Sequence, residues 1–205
     1  MLAVKDKRKE GWSTKVMAKI SVLSVISFLL MFFEFPIVWL APAFMEFDIS
    51  DLPALIGAFA MGPMAGVIIE LIKNILNVVV KGTTTAVVGE VANFVVGSAF
   101  VFTAGLVYQR KKSYKNAVMG LILGTIAMTA VISLANYYVM FPFYANLFGL
   151  PIEELIGMGT AINENIVDLK TMMVYAVVPF NLVKGTIVSV LAMLVYKRVS
   201  PLLHK

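Results

Sequence analysis

The chain has 205 residues, 60% of them hydrophobic and 14% charged, with a formal net charge of +5. A soluble domain carries roughly 25% charged residues, so lipid rather than water is the main solvent and the chain reads as an all-α integral membrane protein. There is no cysteine, and the single histidine, His204, sits beside the C-terminus; disulfides, thiolate metal sites and a histidine-centred catalytic cluster are therefore excluded.

Residues 1–15 form a basic segment, read as cytoplasmic, and lead into a first span from Val16 to Phe33. That run exceeds the ~7 to 15 residues of a signal-peptide core, so the Ala41-Pro42-Ala43 triplet after it is not read as a cleavage site. An outer loop over 34–51 follows. Leu52 to Val80 is apolar for long enough to be one tilted helix, yet Gly62-Pro63 lies inside it, and proline removes a backbone donor and clashes with the preceding turn. The region therefore divides into helices near 52–61 and 63–80. Further helices are expected near 86–109, 115–141 and 171–197, with a second outer loop over 142–170.

Charge fixes the count. Basic clusters lie before the first span (Lys5, Lys7, Arg8, Lys9, Lys15, Lys19), after Tyr108 (Arg110, Lys111, Lys112, Lys115) and at the end (Lys197, Arg198, Lys205). The positive-inside rule wants all three in the cytoplasm, and only the division at Gly62-Pro63 puts them there. The acids Glu46, Asp48, Asp51, Glu153, Glu154, Glu164 and Asp168 then fall outside. The expected architecture is a six-helix transmembrane bundle with cytoplasmic N- and C-termini. Because the basic residues track span ends, they report topology, and no nucleic-acid partner is implied. Leu52 to Met61 is too short to cross ~30 Å at ~1.5 Å per residue, so it should be a half-length, protein-covered helix bordering a cavity. Ala58, Gly62 and Gly66, four apart, would allow close packing there.

Several polar residues sit where lipid should not tolerate them. Glu70, Lys73, Asn74 and Asn77 share one helical face, which must look into the bundle, with Glu70 and Lys73 either a local ion pair or a coupling site. Glu90 and Asn93 open the fourth long segment, and Gly97 on the same face offers bare backbone that a ligand could approach; a carboxylate favoured by the helix dipole is the plainer reading of Glu90. Asn136, Tyr137 and Tyr138 end the fifth segment, where an interfacial aromatic belt explains the rings equally well. Near the end, Pro179 bends the helix ahead of Asn181 and Lys184. Lys184 lies roughly 13 residues, near 20 Å, from either end of its span, too far to snorkel, so it needs an internal counter-group. Glu90, Asn93, Asn136, Asn181 and Lys184, set among Phe, Tyr, Met and Leu, have the chemistry of a cavity for a flat amphipathic molecule.

The ordered set Phe47-Asp48-Ile49-Ser50-Asp51-Leu52-Pro53, Leu55-Ile56-Gly57, Gly62-Pro63, Ile72-Lys73-Asn74, Gly89-Glu90 with Asn93-Phe94, Asn136-Tyr137-Tyr138 and Pro179-Phe180-Asn181 with Lys184 covers nearly the whole chain. It resembles the substrate-binding S-components of energy-coupling factor (ECF) vitamin transporters, and among them the riboflavin-binding members. The resemblance implies a non-enzymatic capture subunit in the lipid bilayer of the bacterial plasma membrane. Riboflavin would be its transported ligand rather than a cofactor, and an ECF transmembrane coupling subunit with two ATP-binding cassette subunits would supply energy. The chain has no GxxxxGK[ST] phosphate loop of its own. The resemblance further implies that Asn181 and Lys184 bond polar ligand atoms, helped by Glu90, Asn93, Asn136 and Tyr137, while a loop bearing Leu40, Met45, Phe47 and Asp48 closes the site. One departure stands out: the first helix lacks the Ala-x-x-x-Ala docking motif common in that family and has Ala18, Ser21, Ser24 and Ser27 instead.

Other readings are an S-component for thiamin, biotin or folate, and a self-sufficient ion-coupled carrier relaying through Glu70 and Lys73. A membrane enzyme using Glu70, Glu90 or Asp168 is disfavoured, because neither clustered His or Cys nor a paired-Asp motif is present.

Overall fold

The computed structural model describes residues 12–149 and 151–203, with side chains through Tyr196. Lys5, Lys7, Arg8, Lys9, His204 and Lys205 lie outside the described residues, as do the side chains of Lys197 and Arg198.

The first helix, α1 (Thr14–Met31), begins at Ser13, whose hydroxyl accepts the Val16 N–H and satisfies one of the unpaired donors of the first turn. After it, Phe35–Pro36 (β1) and Glu46–Phe47 (β2) pair antiparallel, Phe35 opposite Phe47, and fold the intervening loop back on itself. Then come α2 (Asp51–Met61), α3 (Pro63–Val80), α4 (Val88–Arg110) and α5 (Tyr114–Ala135). A π-helical turn, Asn136–Met140, continues α5 into α6 (Phe141–Phe148). Helix α7 (Ile152–Thr160) precedes α8 (Leu169–Met172), which a second π turn, Met173–Val177, joins to α9 (Val178–Leu203). Among the described residues, five helical columns are long and apolar enough to cross a membrane: Thr14–Met31, Pro63–Val80, Val88–Arg110, Tyr114–Phe148 and Leu169–Tyr196.

Each irregularity has a local cause. The chain breaks between α2 and α3 because Gly62 takes φ 111°, a conformation L side chains rarely adopt, and Pro63 starts the next helix where its missing N–H costs nothing. Both π turns lie just ahead of a proline, Pro142 and Pro179. A proline ring crowds the carbonyl four residues back, and the wider π turn relieves that clash without ending the helix. Helix α4 starts at Val88, because Ala86 and Val87 both have positive φ and cannot join it. The segment 142–170 is more ordered than a loop, since it carries α6 and α7.

Helix α2 is wrapped by protein. Ala54, Leu55, Ala58 and Phe59 are fully buried, and α1, α3, α4 and α9 all pack on it. Small residues let the backbones approach: a Cβ on Gly66 would meet Ala58 Cβ at 2.8 Å, and one on Gly105 would meet Pro63 Cα at 3.1 Å. In the last turn of α2, Phe59 packs against Tyr108 and meets Tyr196 edge-on, and the two tyrosine hydroxyls are 2.7 Å apart. In α1, Ser24 and Ser27 point inward: Ser24 donates to the Ile20 carbonyl and Ser27 to that of Ser50. These two serines join the bundle core rather than forming an outward docking stripe.

Candidate functional site

The loop between α1 and α2 descends into the middle of the bundle, and two buried lysines hold it there. Lys184 of α9 reaches Asp48 Oδ2 at 2.7 Å, while Asp48 Oδ1 accepts the Ser50 N–H at 2.7 Å. Lys73 of α3 donates to Ser50 Oγ at 2.9 Å and lies 2.5 Å from Asp51 Oδ1 and 2.7 Å from Glu70 Oε2. Glu70 and Lys73 have no exposed surface, and Asp48, Asp51 and Lys184 are nearly as deep. Burial alone would raise the Asp48 carboxyl, but the Lys184 and Lys73 ammoniums outweigh it and hold the group well below the usual carboxylate range. The counter-group that Lys184 requires is therefore Asp48, from a segment 136 residues away in sequence. The Glu70–Lys73 pair is part of a wider cluster with Asp51. Gly97 does not offer its backbone to a ligand: a Cβ there would collide with the Glu70 carboxylate, so the glycine makes room for that buried acid.

Above this charged floor lies a cavity of about 490 Å³, walled by the loop (Glu34, Phe44, Glu46, Asp48), the end of α3 (Asn77), the turn residues 81–85, the start of α4 (Gly89, Glu90, Asn93) and Tyr144 of α6. Glu90 Oε2 accepts the Thr83 and Thr85 hydroxyls, each at 3.1 Å. The side-chain oxygens of Asn77 and Asn93 are buried without a hydrogen-bond partner. Each is unusual, because a buried amide oxygen normally has a donor. At the mouth, Lys81 bonds Glu34 and ties the end of α3 to the loop; that bond raises the Lys81 ammonium. Burial, with Glu34 close by, raises the Glu46 carboxyl.

Of the residues singled out from sequence, Asp48, Glu90 and Asn93 line this cavity. Leu40, Met45 and Phe47 pack with Ala41 and Phe180 beneath the loop. Met45 also reaches the cluster of Phe141, Met172 and Val177, on which Tyr137 packs. Asn181 is buried and donates to the Val177 carbonyl at 2.8 Å, and Asn136 is half-buried as the first residue of its π turn. These six, with Lys184, are not in the cavity wall. Asn77, Thr83, Thr85, Lys81 and Tyr144 are, and of these the sequence pattern points only to Asn77, as part of an inward face. The Thr83-Thr84-Thr85 run so close to Glu90 was the available signal. A larger groove of about 630 Å³ lies between α5 and α9, shares no residue with this cavity, and is mostly apolar.

Residues 15–196 match the family described as the ECF transporter substrate-specific component. The chain belongs to that family. Among curated relatives, it is 39% identical over 191 residues to the riboflavin transporter RibU of Staphylococcus aureus (strain TCH60), covering 93% of each chain. It is 35% identical over 188 residues to the riboflavin transporter FmnP of Bacillus subtilis (strain 168), covering 91% of this chain and 93% of that one. A solved structure of the S component of a bacterial ECF transporter superposes with a TM-score of 0.71 at 37% identity, over 93% of this chain and 98% of that one. This S-component is thus a multi-pass protein of the bacterial plasma membrane that works in a membrane complex with other ECF components, and its family is one of transporters rather than enzymes.

Proposed function

We propose that this S-component captures riboflavin from outside the cell. The observation that carries the reading is the 490 Å³ cavity, whose wall brings Asn77, Asn93 and Glu90 together with Phe44 and Tyr144. Its volume falls within the roughly 300–1,000 Å³ of small-molecule sites. Ribityl hydroxyls would donate to Glu90 and accept from the Asn77 and Asn93 amide groups, and the aromatic rings would cover part of the fused ring system. Relatives at 39% and 35% identity named as riboflavin transporters support that vitamin over thiamin, biotin or folate.

In this proposal α2 is the half-length sixth segment, both termini are cytoplasmic, and the loop 34–51 faces outward. The loop is a lid latched by Asp48 on Lys184. When the ring system inserts beneath it, Leu40, Met45 and Phe47 from the lid and Asn136, Tyr137, Asn181 and Lys184 from below become ligand contacts. Energy comes from a transmembrane coupling subunit and two ATP-binding cassette subunits.

Two measurements test this. Riboflavin should raise the thermal midpoint of the purified protein, while thiamin, biotin and folate leave it unchanged; a response to another vitamin instead would contradict the ligand. Liposomes holding the chain alone should not accumulate riboflavin, whereas uptake without ATP or partners would favour an ion-coupled carrier.

A further inference from the structure

Away from the charged interior, α5 and α9 cross at Gly185, where a Cβ would sit 2.6 Å from the Thr125 side chain. The groove between them runs from Tyr114 to Ile126 on one helix and from Leu182 to Leu194 on the other, and it opens to the outside of the bundle. Twelve residue-to-residue steps of ~1.5 Å give it a length of roughly 18 Å. One leaflet of a ~30 Å hydrocarbon core is roughly 15 Å deep. Its exposed walls are mostly aliphatic, Ile122, Ile126, Leu182, Val190 and Leu194 among them, with Thr186 the polar exception and Tyr114 at one end.

The Tyr114 end of the groove meets a concentration of positive charge. Arg110, Lys111, Lys112 and Lys115 are all exposed, and among the described residues none of them is in an ion pair. Every described acid lies elsewhere, in the buried cluster, at the cavity, or in the 153–168 region. The first turn of α5 adds the partial positive charge of a helix N-terminus beside Tyr114. An apolar slot about one leaflet deep, cationic at its interfacial end, is complementary to a lipid with an anionic headgroup.

We propose that the α5–α9 groove holds one acyl chain of an anionic phospholipid, with its headgroup against Lys111, Lys112 and Lys115. The lipid covers a face that the bundle leaves open and ties the basic turn to the membrane surface. The site is independent of the vitamin cavity.

Native mass spectrometry of the full chain, titrated with phosphatidylglycerol or with phosphatidylcholine of identical acyl chains, tests this. One phosphatidylglycerol should be retained roughly tenfold more tightly, given the attraction of several lysines for anionic lipid. Replacing Lys111, Lys112 and Lys115 together by Gln should bring the ratio to about one. Val190→Trp, or Ile122→Trp from the opposite wall, should fill the slot and weaken retention of both lipids. Riboflavin's effect on the thermal midpoint serves as a fold control and should persist in every variant; if one slot variant loses it, the other decides. Equal retention of the two lipids by the wild type, a preference surviving in the triple variant, or retention indifferent to a folded slot variant would overturn the proposal. So would variants that keep lipid but lose co-purifying ECF components, because the groove would then seat a protein helix.

Discussion

Replacing Asp48 by Asn leaves Lys184 charged and buried opposite a neutral amide, without its ion-pair partner. At the observed 2.7 Å, the pair attracts by about 6 kcal/mol at an effective dielectric constant of ~20, offset by the several kcal/mol each ion loses on leaving water. Removing one partner should therefore cost roughly 3–5 kcal/mol, because the remaining ammonium keeps its desolvation penalty and loses its compensation. The lid can relieve that cost by lifting and admitting water, so riboflavin should also dissociate faster, by about tenfold for each ~1.4 kcal/mol by which the closed lid is destabilised. Asp48→Asn combined with Lys184→Met removes both charges and should recover most of the stability, though not the ligand affinity. Denaturant or thermal unfolding in detergent across the four proteins of this double-mutant cycle measures the coupling. A coupling energy below ~1 kcal/mol, the range of exposed pairs, would refute the latch.

Asn77→Leu and Asn93→Leu each remove a buried oxygen that lacks a partner, so stability should hold or rise while riboflavin affinity falls up to about tenfold, as read by flavin fluorescence titration. Gly97→Ala should destabilise the bundle by roughly 1–3 kcal/mol through its collision with the Glu70 carboxylate; an unchanged thermal midpoint would show that α4 can shift aside. Because the folded Asp48 carboxyl titrates below its unfolded value of about 3.9, its contribution is complete above that pH and is lost as pH falls towards the folded value. A thermal-midpoint series from pH 6 to pH 3 should therefore decline less steeply in Asp48→Asn than in the wild type.

The long apolar helices were legible because hydrocarbon requires about twenty predominantly apolar residues in a row and leaves few alternatives. The division at Gly62-Pro63 was equally readable, since both residues act through the backbone alone. What the sequence concealed were pairings between distant segments. Lys184 visibly needed a counter-charge, but nothing local pointed to Asp48, because the loop's descent into the bundle is set by tertiary packing. Asp51 looked like a loop acid and is instead the cap-proximal partner of Lys73. Gly97 showed the complementary difficulty: a glycine signals close approach without saying what approaches. The turn 81–87 carries little signal in the sequence alone, because its threonines become chemically meaningful only when Glu90 folds back onto them.

The central claim is that riboflavin occupies the space between the latched lid and the start of α4. Equilibrium fluorescence titration of the ligand-free protein with riboflavin tests it most directly, run in parallel on the wild type and on Glu90→Gln/Asn93→Leu. The account predicts one flavin bound per chain, quenched by the neighbouring rings, with the double variant markedly weaker. No saturable binding by the wild type, or equal affinity in the variant, would contradict it.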